Sequence, residues 1–458
     1  MSLIASISGI RGTIGGSTTE GLNPTNIAAF TSAYAEFLKV NSPIGSRKVV
    51  VGRDGRISGE MVEQIVVGTL LAQGFDIVRL GFSSTPTTEI AVDLEKADGG
   101  IIITASHNPR HWNALKLLNH RGEFLSKEEG EKVVALAESK DFDYVSVDEI
   151  GKIIHRDYTE RHVQDVVALP TVDVAAITAA EYTVVVDCIN SVGALIVPKL
   201  LEALGVKKVY LLNADVTGDF AHTAEPLPEN LTSLSEAVRE KKADVGFAVD
   251  PDVDRLAIIC EDGTPFGEEN TLIAVADYLL SLTPGGNTVS NLSSSRGLRD
   301  ITLGHGGQHY SAKVGEVNVV EKMKEVGALI GGEGNGGVIY PLAHYGRDAI
   351  VGIALFLTMM AKRFLKPTQI HRLLPQYEMV KKRVELKPDT DTRALFDKIE
   401  KNYKGQAEIC TQDGVKLDFP DGWVHLRKSN TEPILRIYAE AATAAEADAL
   451  ADRVIKDL

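Results

Sequence analysis

Three aspartates stand at two-residue spacing in Val249-Asp250-Pro251-Asp252-Val253-Asp254-Arg255. Carboxylates this close repel one another unless a cation sits among them, and an all-oxygen set suits a hard divalent ion such as Mg²⁺. An EF-hand loop is a rival, because Glu261 occupies the twelfth position counted from Asp250. That loop needs glycine in sixth place, whereas this chain has Arg255 there, followed by the strand-like Leu256-Ala-Ile-Ile259. The plainer alternative is a solvated acidic turn.

Three further segments carry chemistry. Thr104-Ala-Ser-His-Asn-Pro109 sets a serine directly after an apolar run. Alone it reads as an ordinary polar turn, and a Ser-His-Asp hydrolase would want a G-x-S-x-G elbow, which is missing. With a metal nearby to stabilise a phosphoryl group on it, Ser106 becomes a covalent carrier, and Lys116 a proton shuttle. Arg427-Lys-Ser-Asn-Thr-Glu-Pro-Ile-Leu-Arg436 joins two strand-like runs through a loop rich in hydroxyls and backbone donors. Such a loop, bracketed by guanidiniums, makes a phosphate cradle; a polar hairpin with surface arginines is the bland reading. Gly331-Gly-Glu-Gly-Asn-Gly-Gly337 is neither a Walker loop nor a dinucleotide fingerprint. Glu333 and Asn335 suit vicinal sugar hydroxyls, with glycines allowing close backbone approach.

The elements that must hold these loops recur three times. An apolar run ending in polar residues (Val49 to Val51, Val184 to Val186, Thr288-Val289) is followed by a helix-like segment. A second apolar run then ends in one of the unusual loops: Gly100 to Thr104, Val245 to Val249, Ala328 to Gly331. Short doubly buried strands alternating with helices predict α/β domains with mixed, largely parallel sheets, whose ligands bind beyond the carboxyl ends of strands. From about Tyr377 the pattern changes to strands at Val380 to Leu386, Ala407 to Thr411, Val415 to Phe419, Trp423 to Arg427 and Leu435 to Glu440. Helices fall near 391–403 and 444–458, an α+β tail. The expected architecture is three similar α/β domains (1–150, 151–254, 255–371) plus a C-terminal α+β domain (372–458) around a central cleft.

The formal net charge of −15 works against nucleic-acid binding, so any bound anion must be met by locally gathered cations. The longest apolar run, Ile350 to Ala361, is too short to span a bilayer and fits a buried helix. The amino terminus has no basic leader region, and Cys188, Cys260 and Cys410 form no C-x-x-C pair. A cytoplasmic enzyme, monomeric or homodimeric, is expected, with no membrane partner.

Together and in this order, the four loops resemble those of the α-D-phosphohexomutase superfamily along essentially the whole chain. The resemblance implies a phosphorylated Ser106, which also faces the metal, with His107 beside it, and Mg²⁺ on Asp250, Asp252 and Asp254. Arg255 and Lys116 join the catalytic group, as does Arg11 in Ser8-Gly-Ile-Arg-Gly12. Glu333 and Asn335 would read the sugar, and Arg427, Ser429, Asn430, Thr431 and Arg436 would hold the substrate's phosphate. The implied activity interconverts glucosamine 6-phosphate and glucosamine 1-phosphate through a hexose 1,6-bisphosphate. The phosphoglucomutase/phosphomannomutase reaction is the alternative. Two departures stand out. Gly337 occupies a position where bacterial members usually carry histidine, leaving His344 or His309 as possible stand-ins, and Glu316 sits where some phosphomannomutases place histidine. From other classes, an aspartyl phosphatase would need no Ser106 and no cradle, and a phosphosugar sensor would have little use for three aspartates.

Overall fold

The computed structural model describes residues 3–6, 9–17, 20–387, 390–429 and 434–458. The chain forms two compact units, Met1–Thr271 with Asn335–Ile370, and Leu272–Gly334 with His371–Leu458.

The first unit is built on two sheets. One has seven strands in the order Leu3–Ser6, Gly9–Thr13, Trp112–Leu118, Gly99–Ile103, Lys48–Arg53, Asp76–Phe82, Ile153–His155. The last four run parallel, and the others join antiparallel. Alternation decides which core each strand residue enters. Val49, Val51, Ile101 and Ile103 pack with Tyr34 and Phe37 of helix Pro24–Asn41 and Val66 and Leu70 of helix Gly59–Ala72. Val50 and Ile102 face the other way, onto Ala91 and Val92 of helix Thr85–Leu94. The second sheet has the order Leu256–Cys260, Val245–Val249, Thr183–Asp187, Lys208–Leu212, parallel except at Leu256–Cys260. Gly99–Ile103 and Val245–Val249 are buried at every residue, and the polar loops that follow them carry Ser106 and the three aspartates at the carboxyl ends of these strands.

The apolar run Ile350 to Ala361 lies in helix Ala349–Arg363, buried from Ala349 through Ala361. Its amino end is capped by Asp348, whose Oδ1 accepts from the N–H groups of Ile350 (2.9 Å) and Val351 (3.3 Å). Among the described residues no helix is long and apolar enough to cross a membrane.

In the second unit, Thr288–Asn291 pairs in parallel with His309–Ala312 and Ile330–Glu333. A five-stranded antiparallel sheet follows, ordered Glu378–Glu385, Ile434–Ala441, Gly422–Lys428, Val415–Phe419, Glu408–Cys410. Helices Thr392–Tyr403 and Ala444–Lys456 cover one face through Ile399, Tyr403, Leu450 and Val454. Three α/β segments and an antiparallel C-terminal segment agree with the fold class expected from the sequence.

Candidate active site

Ser106 sits on a loop held in an uncommon shape. Its φ is +49°, a left-handed conformation that a side chain other than glycine's rarely takes without support. The support is a ring of hydrogen bonds. The Ser106 N–H donates to Thr104 Oγ1 (2.9 Å), and that hydroxyl donates to Asp54 Oδ2 (2.7 Å). The Arg56 guanidinium lies 3.2 Å from Asp54 Oδ2 and donates to the carbonyls of Ser106 (2.5 Å), Asn108 (2.6 Å), Pro109 (2.9 Å) and Trp112 (3.0 Å). Both ends of the serine's backbone are thus fixed. Burial pushes the Asp54 carboxyl up to about 6 despite Arg56, so this ring is assembled at a desolvation cost.

The shape aims Ser106 Oγ at Asp250 Oδ2, to which it donates at 2.6 Å. Asp250 follows the buried strand Val245–Val249, and its Oδ1 accepts from the N–H groups of Asp254 and Arg255, both at 3.1 Å. Folding the turn this tightly places β-branched Val253 at φ +64°, a strained backbone of the kind that clusters at functional sites. Asp250, Asp252 and Asp254 each present an oxygen within 4.8 Å of the others, and all three are fully buried.

These carboxylates fit a divalent cation. Asp252 Oδ1 and Asp254 Oδ1 are buried and accept no hydrogen bond among the described residues, a costly condition that oxygen ligation of a hard ion would relieve. Burial, then the proximity of Asp252 and Asp254, drives the Asp250 carboxyl well above its ordinary range. Burial opposes ionisation of Asp252 too, but the Lys116 ammonium and hydrogen bonds from its neighbours hold it well below that range. Lys116 Nζ is 2.7 Å from Asp252 Oδ2 and 3.5 Å from Asp254 Oδ2. Burial works to strip its proton, and the two aspartates more than offset this.

Cations gather around the serine. Arg11, on strand Gly9–Thr13 opposite Ala114, donates to Asn108 Oδ1 at 3.2 Å. Arg255 lies 3.5 Å from Glu225 and 4.0 Å from Asp254. His107 Nδ1 is 3.3 Å from Ser106 Oγ, and burial followed by Arg255, Arg11 and Arg347 keeps its imidazole neutral. Ser106, His107, Lys116, Arg11, Arg255 and the three aspartates therefore belong to one unit, as does Asn335, whose Oδ1 accepts the Gly337 N–H (3.2 Å).

The second unit holds the remaining candidates. Glu333 Oε1 accepts from Asn291 Nδ2 (2.9 Å) and the Gly315 N–H (3.1 Å). Arg427 is anchored on Asp413 (3.0 Å), whose carboxylate also takes the Val314 N–H (3.0 Å). Ser429 is buried and donates its N–H to Ile434 O (2.9 Å). Arg436 is in register with Arg427 on one side and Arg383 on the other, so three guanidiniums form a row on the face away from the helices. Like charges across strands destabilise a sheet unless an anion joins them. Asn430 and Thr431 lie outside the described residues.

The histidines considered as stand-ins for a side chain at 337 are engaged elsewhere. His309 Nδ1 is 3.0 Å from Thr288 Oγ1, and burial lowers its pKa to about 3. His344 Nε2 is 3.1 Å from Asp348 Oδ2 and its Nδ1 3.4 Å from Glu89. His162 Nε2 meets the same Asp348 oxygen at 2.8 Å, and its Nδ1 is 2.9 Å from Thr87 Oγ1. Two imidazole nitrogens this close to one oxygen are hydrogen-bond partners, so the cluster is a clasp joining two helices to the Asp348 cap. Glu316 is buried at the start of helix Glu316–Val326.

Sequence reasoning passed over Arg56, Thr85, Arg347 and Arg383. Thr85 Oγ1 donates to Asp252 Oδ2 (2.6 Å), and Arg347 Nη2 donates to Asp254 Oδ2 (2.6 Å). A usable signal existed for Arg56, which stands two residues beyond Asp54 at the end of a buried strand.

Comparison with known proteins agrees along the chain. Models of phosphoglucomutase/phosphomannomutase match in series: alpha/beta/alpha domain I over residues 4–144, domain II over 160–263, domain III over 268–377 and the C-terminal domain over 379–457. A phosphoglucomutase/phosphomannomutase of Thermococcus kodakarensis is 39% identical over 399 residues, 86% of each chain. A probable phosphoglucosamine mutase of Pyrococcus abyssi is 32% identical over 92% of this chain and 93% of its own. A solved phosphoglucomutase/phosphomannomutase family protein of Burkholderia thailandensis superposes with TM-score 0.86 at 26% identity, covering 99% of this chain and 96% of that one.

Proposed function

We propose that the chain, which belongs to the α-D-phosphohexomutase superfamily and is a phosphohexomutase, interconverts glucosamine 6-phosphate and glucosamine 1-phosphate with Ser106 as phosphoryl carrier. The observation that carries this is the 2.6 Å contact between Ser106 Oγ and Asp250 within a buried triplet of which two oxygens accept no hydrogen bond among the described residues. Asp250, Asp252 and Asp254 would hold Mg²⁺, which when bound would supply charge to offset what develops on the phosphoryl oxygens.

A sugar hydroxyl attacks phosphorus, an O–P bond forms, and the Ser106 Oγ–P bond breaks, leaving a hexose 1,6-bisphosphate. Lys116 passes the proton between the sugar and serine oxygens, and neutral His107 accepts a hydrogen bond beside them. Arg11 and Arg255 counter the phosphoryl charge. The bisphosphate then turns over and returns its other phosphate to Ser106. Hydroxyls 3 and 4 exchange places approximately in that turn, so Glu333 and Asn335 grip both poses. Arg427, Ser429, Asn430, Thr431 and Arg436 take whichever phosphate is idle. The labour divides into a phosphoserine domain (1–150), a metal domain (151–254), a sugar-reading domain (255–371) and a phosphate-holding domain (372–458).

The phosphoglucomutase/phosphomannomutase reaction is a second reading, favoured by the name of the Thermococcus relative at 39% identity. Assay of glucosamine, glucose and mannose phosphates side by side decides between them. A kcat/KM for glucose or mannose 1-phosphate above that for glucosamine 1-phosphate overturns the preferred substrate.

A further inference from the structure

Gly337 has no conformational reason to be glycine. Its φ lies outside the left-handed region, it sits in the short strand Gly337–Ile339, and it is buried. Gly336 differs: its φ is +81°, and a Cβ there would stand 2.2 Å from the Leu256 carbonyl oxygen. At 337 the obstacle is a side chain. A Cβ would stand 2.4 Å from Arg347 Cδ and 3.1 Å from its Cγ. The space that a residue at 337 would fill is occupied by the stem of Arg347.

Where that stem leads is well defined. Arg347 forms an antiparallel bridge with Ile339, and the next residue, Asp348, donates its N–H to Val338 O (2.8 Å) and is held by the His162–His344 clasp. Arg347 is 8% exposed. Its guanidinium meets Asp254 Oδ2 at 2.6 Å, while Asp254 Oδ1 is one of the two oxygens without a hydrogen bond. An arginine so placed keeps its charge at any working pH, so what it contributes is geometry and field, never a proton.

We propose that Arg347 is a positioning residue of the phosphoryl-transfer site, reaching Asp254 through the gap that glycine leaves at 337 and fixing that carboxylate with one oxygen turned to the divalent cation. With Arg11 and Arg255 it also makes a positive field suited to a phosphoryl dianion. The proposal rests on the assignment of Ser106 and the aspartates made above. Glycine at 337 is then a requirement of the arginine, and the two positions act as one.

A double-mutant cycle over Gly337→Ala and Arg347→Ala tests this, with thermal melting to check folding and Arg347→Lys as a second variant in the same cycle. Two quantities are read: kcat for the 6-phosphate with saturating bisphosphate, and direct binding of Mg²⁺ by calorimetry. Gly337→Ala should lower kcat roughly 10–100-fold and weaken Mg²⁺ binding, as expected for a displaced charge-assisted contact. Arg347→Ala should do the same, and the double variant should be no worse than Arg347→Ala alone. Arg347→Lys, which keeps charge without the planar fork, should recover part of kcat. Parental kcat and Mg²⁺ affinity in Gly337→Ala would overturn the proposal, as would a Gly337→Ala loss that persists in full when Arg347 is already alanine. If the parent gains no phosphoserine by intact mass after incubation with bisphosphate, or Ser106→Ala remains active, the underlying assignment fails instead, whatever the cycle shows.

Discussion

His344 should titrate far from neutrality and take part of the protein's stability with it. Burial favours its neutral form, but the Asp348 and Glu89 carboxylates on its two nitrogens outweigh this and raise its pKa to about 10. His162, its ring centroid 6.2 Å away and edge-on, faces it from helix Thr159–Val167, with Thr87 beyond. A histidine whose folded pKa exceeds its unfolded value of about 6.5 stabilises the fold fully below that value and loses the contribution as pH rises through the folded one. The span from about 6.5 to about 10 corresponds to at most roughly 5 kcal/mol at 1.36 kcal/mol per unit; sharing of Asp348 with His162 brings the expected effect to about 2–4 kcal/mol. His344→Gln should therefore be less stable than the parent by about that amount at pH 6.5, and the two should converge near pH 10.5. Urea unfolding followed by tryptophan fluorescence in a Trp423→Phe background, where Trp112 reports on the first unit, measures the gap at each pH. Selective histidine labelling locates the resonance missing from the variant and gives its pKa directly. A gap that stays constant with pH, or a His344 resonance that titrates near 6.5, refutes the clasp as an ionic device.

Ser106→Ala should lose at least roughly 10³-fold in turnover, because the covalent carrier is gone; activity within tenfold of the parent would show that another group carries the phosphate. Chelation should abolish activity and Mg²⁺ restore it, with Asp252→Asn mimicking chelation, whereas full rate in excess chelator with no residual bound metal would remove the cation from the mechanism. Arg427→Ala should weaken binding of both monophosphates by similar factors, on the order of 1.5–3 kcal/mol, and added bisphosphate should partly rescue it. A large defect in one direction of catalysis only would mean that Arg427 serves a single pose.

What could be read from the sequence depended on whether a function's parts lie side by side along the chain. Asp250, Asp252 and Asp254 repel across a few residues, so the need for a cation is visible without a fold. The runs feeding them are legible for a similar reason: a strand buried on both faces, such as Val245–Val249, has no polar residue to spare. Thr85 and Arg347 act on partners 167 and 93 positions away, and no local pattern announces them. Position 337 is the sharper case. From the sequence it is an absence, a glycine where a side chain was expected, and only packing reveals that another residue's stem fills the space. The row Arg383, Arg436 and Arg427 became visible only with strand register, since three strands must align before three separate arginines share a face.

The way the chain divides between its two units has a consequence for biosynthesis. Residues 335–370 return to the first unit after the chain has left it at Thr271. They bring the buried helix Ala349–Arg363, the clasp at Asp348 and the arginine on Asp254. A ribosome therefore releases Ser106 and all three aspartates well before the segment that completes their surroundings. During that interval the nascent first unit holds its carboxylates with Arg347 and Asp348 still unmade, and the apolar bed for helix Ala349–Arg363 still uncovered. Messages truncated anywhere between codons 272 and 334 should accordingly yield chains that bind folding helpers and are quickly degraded, although Ser106, Lys116, the three aspartates, Arg11 and Arg255 are already present.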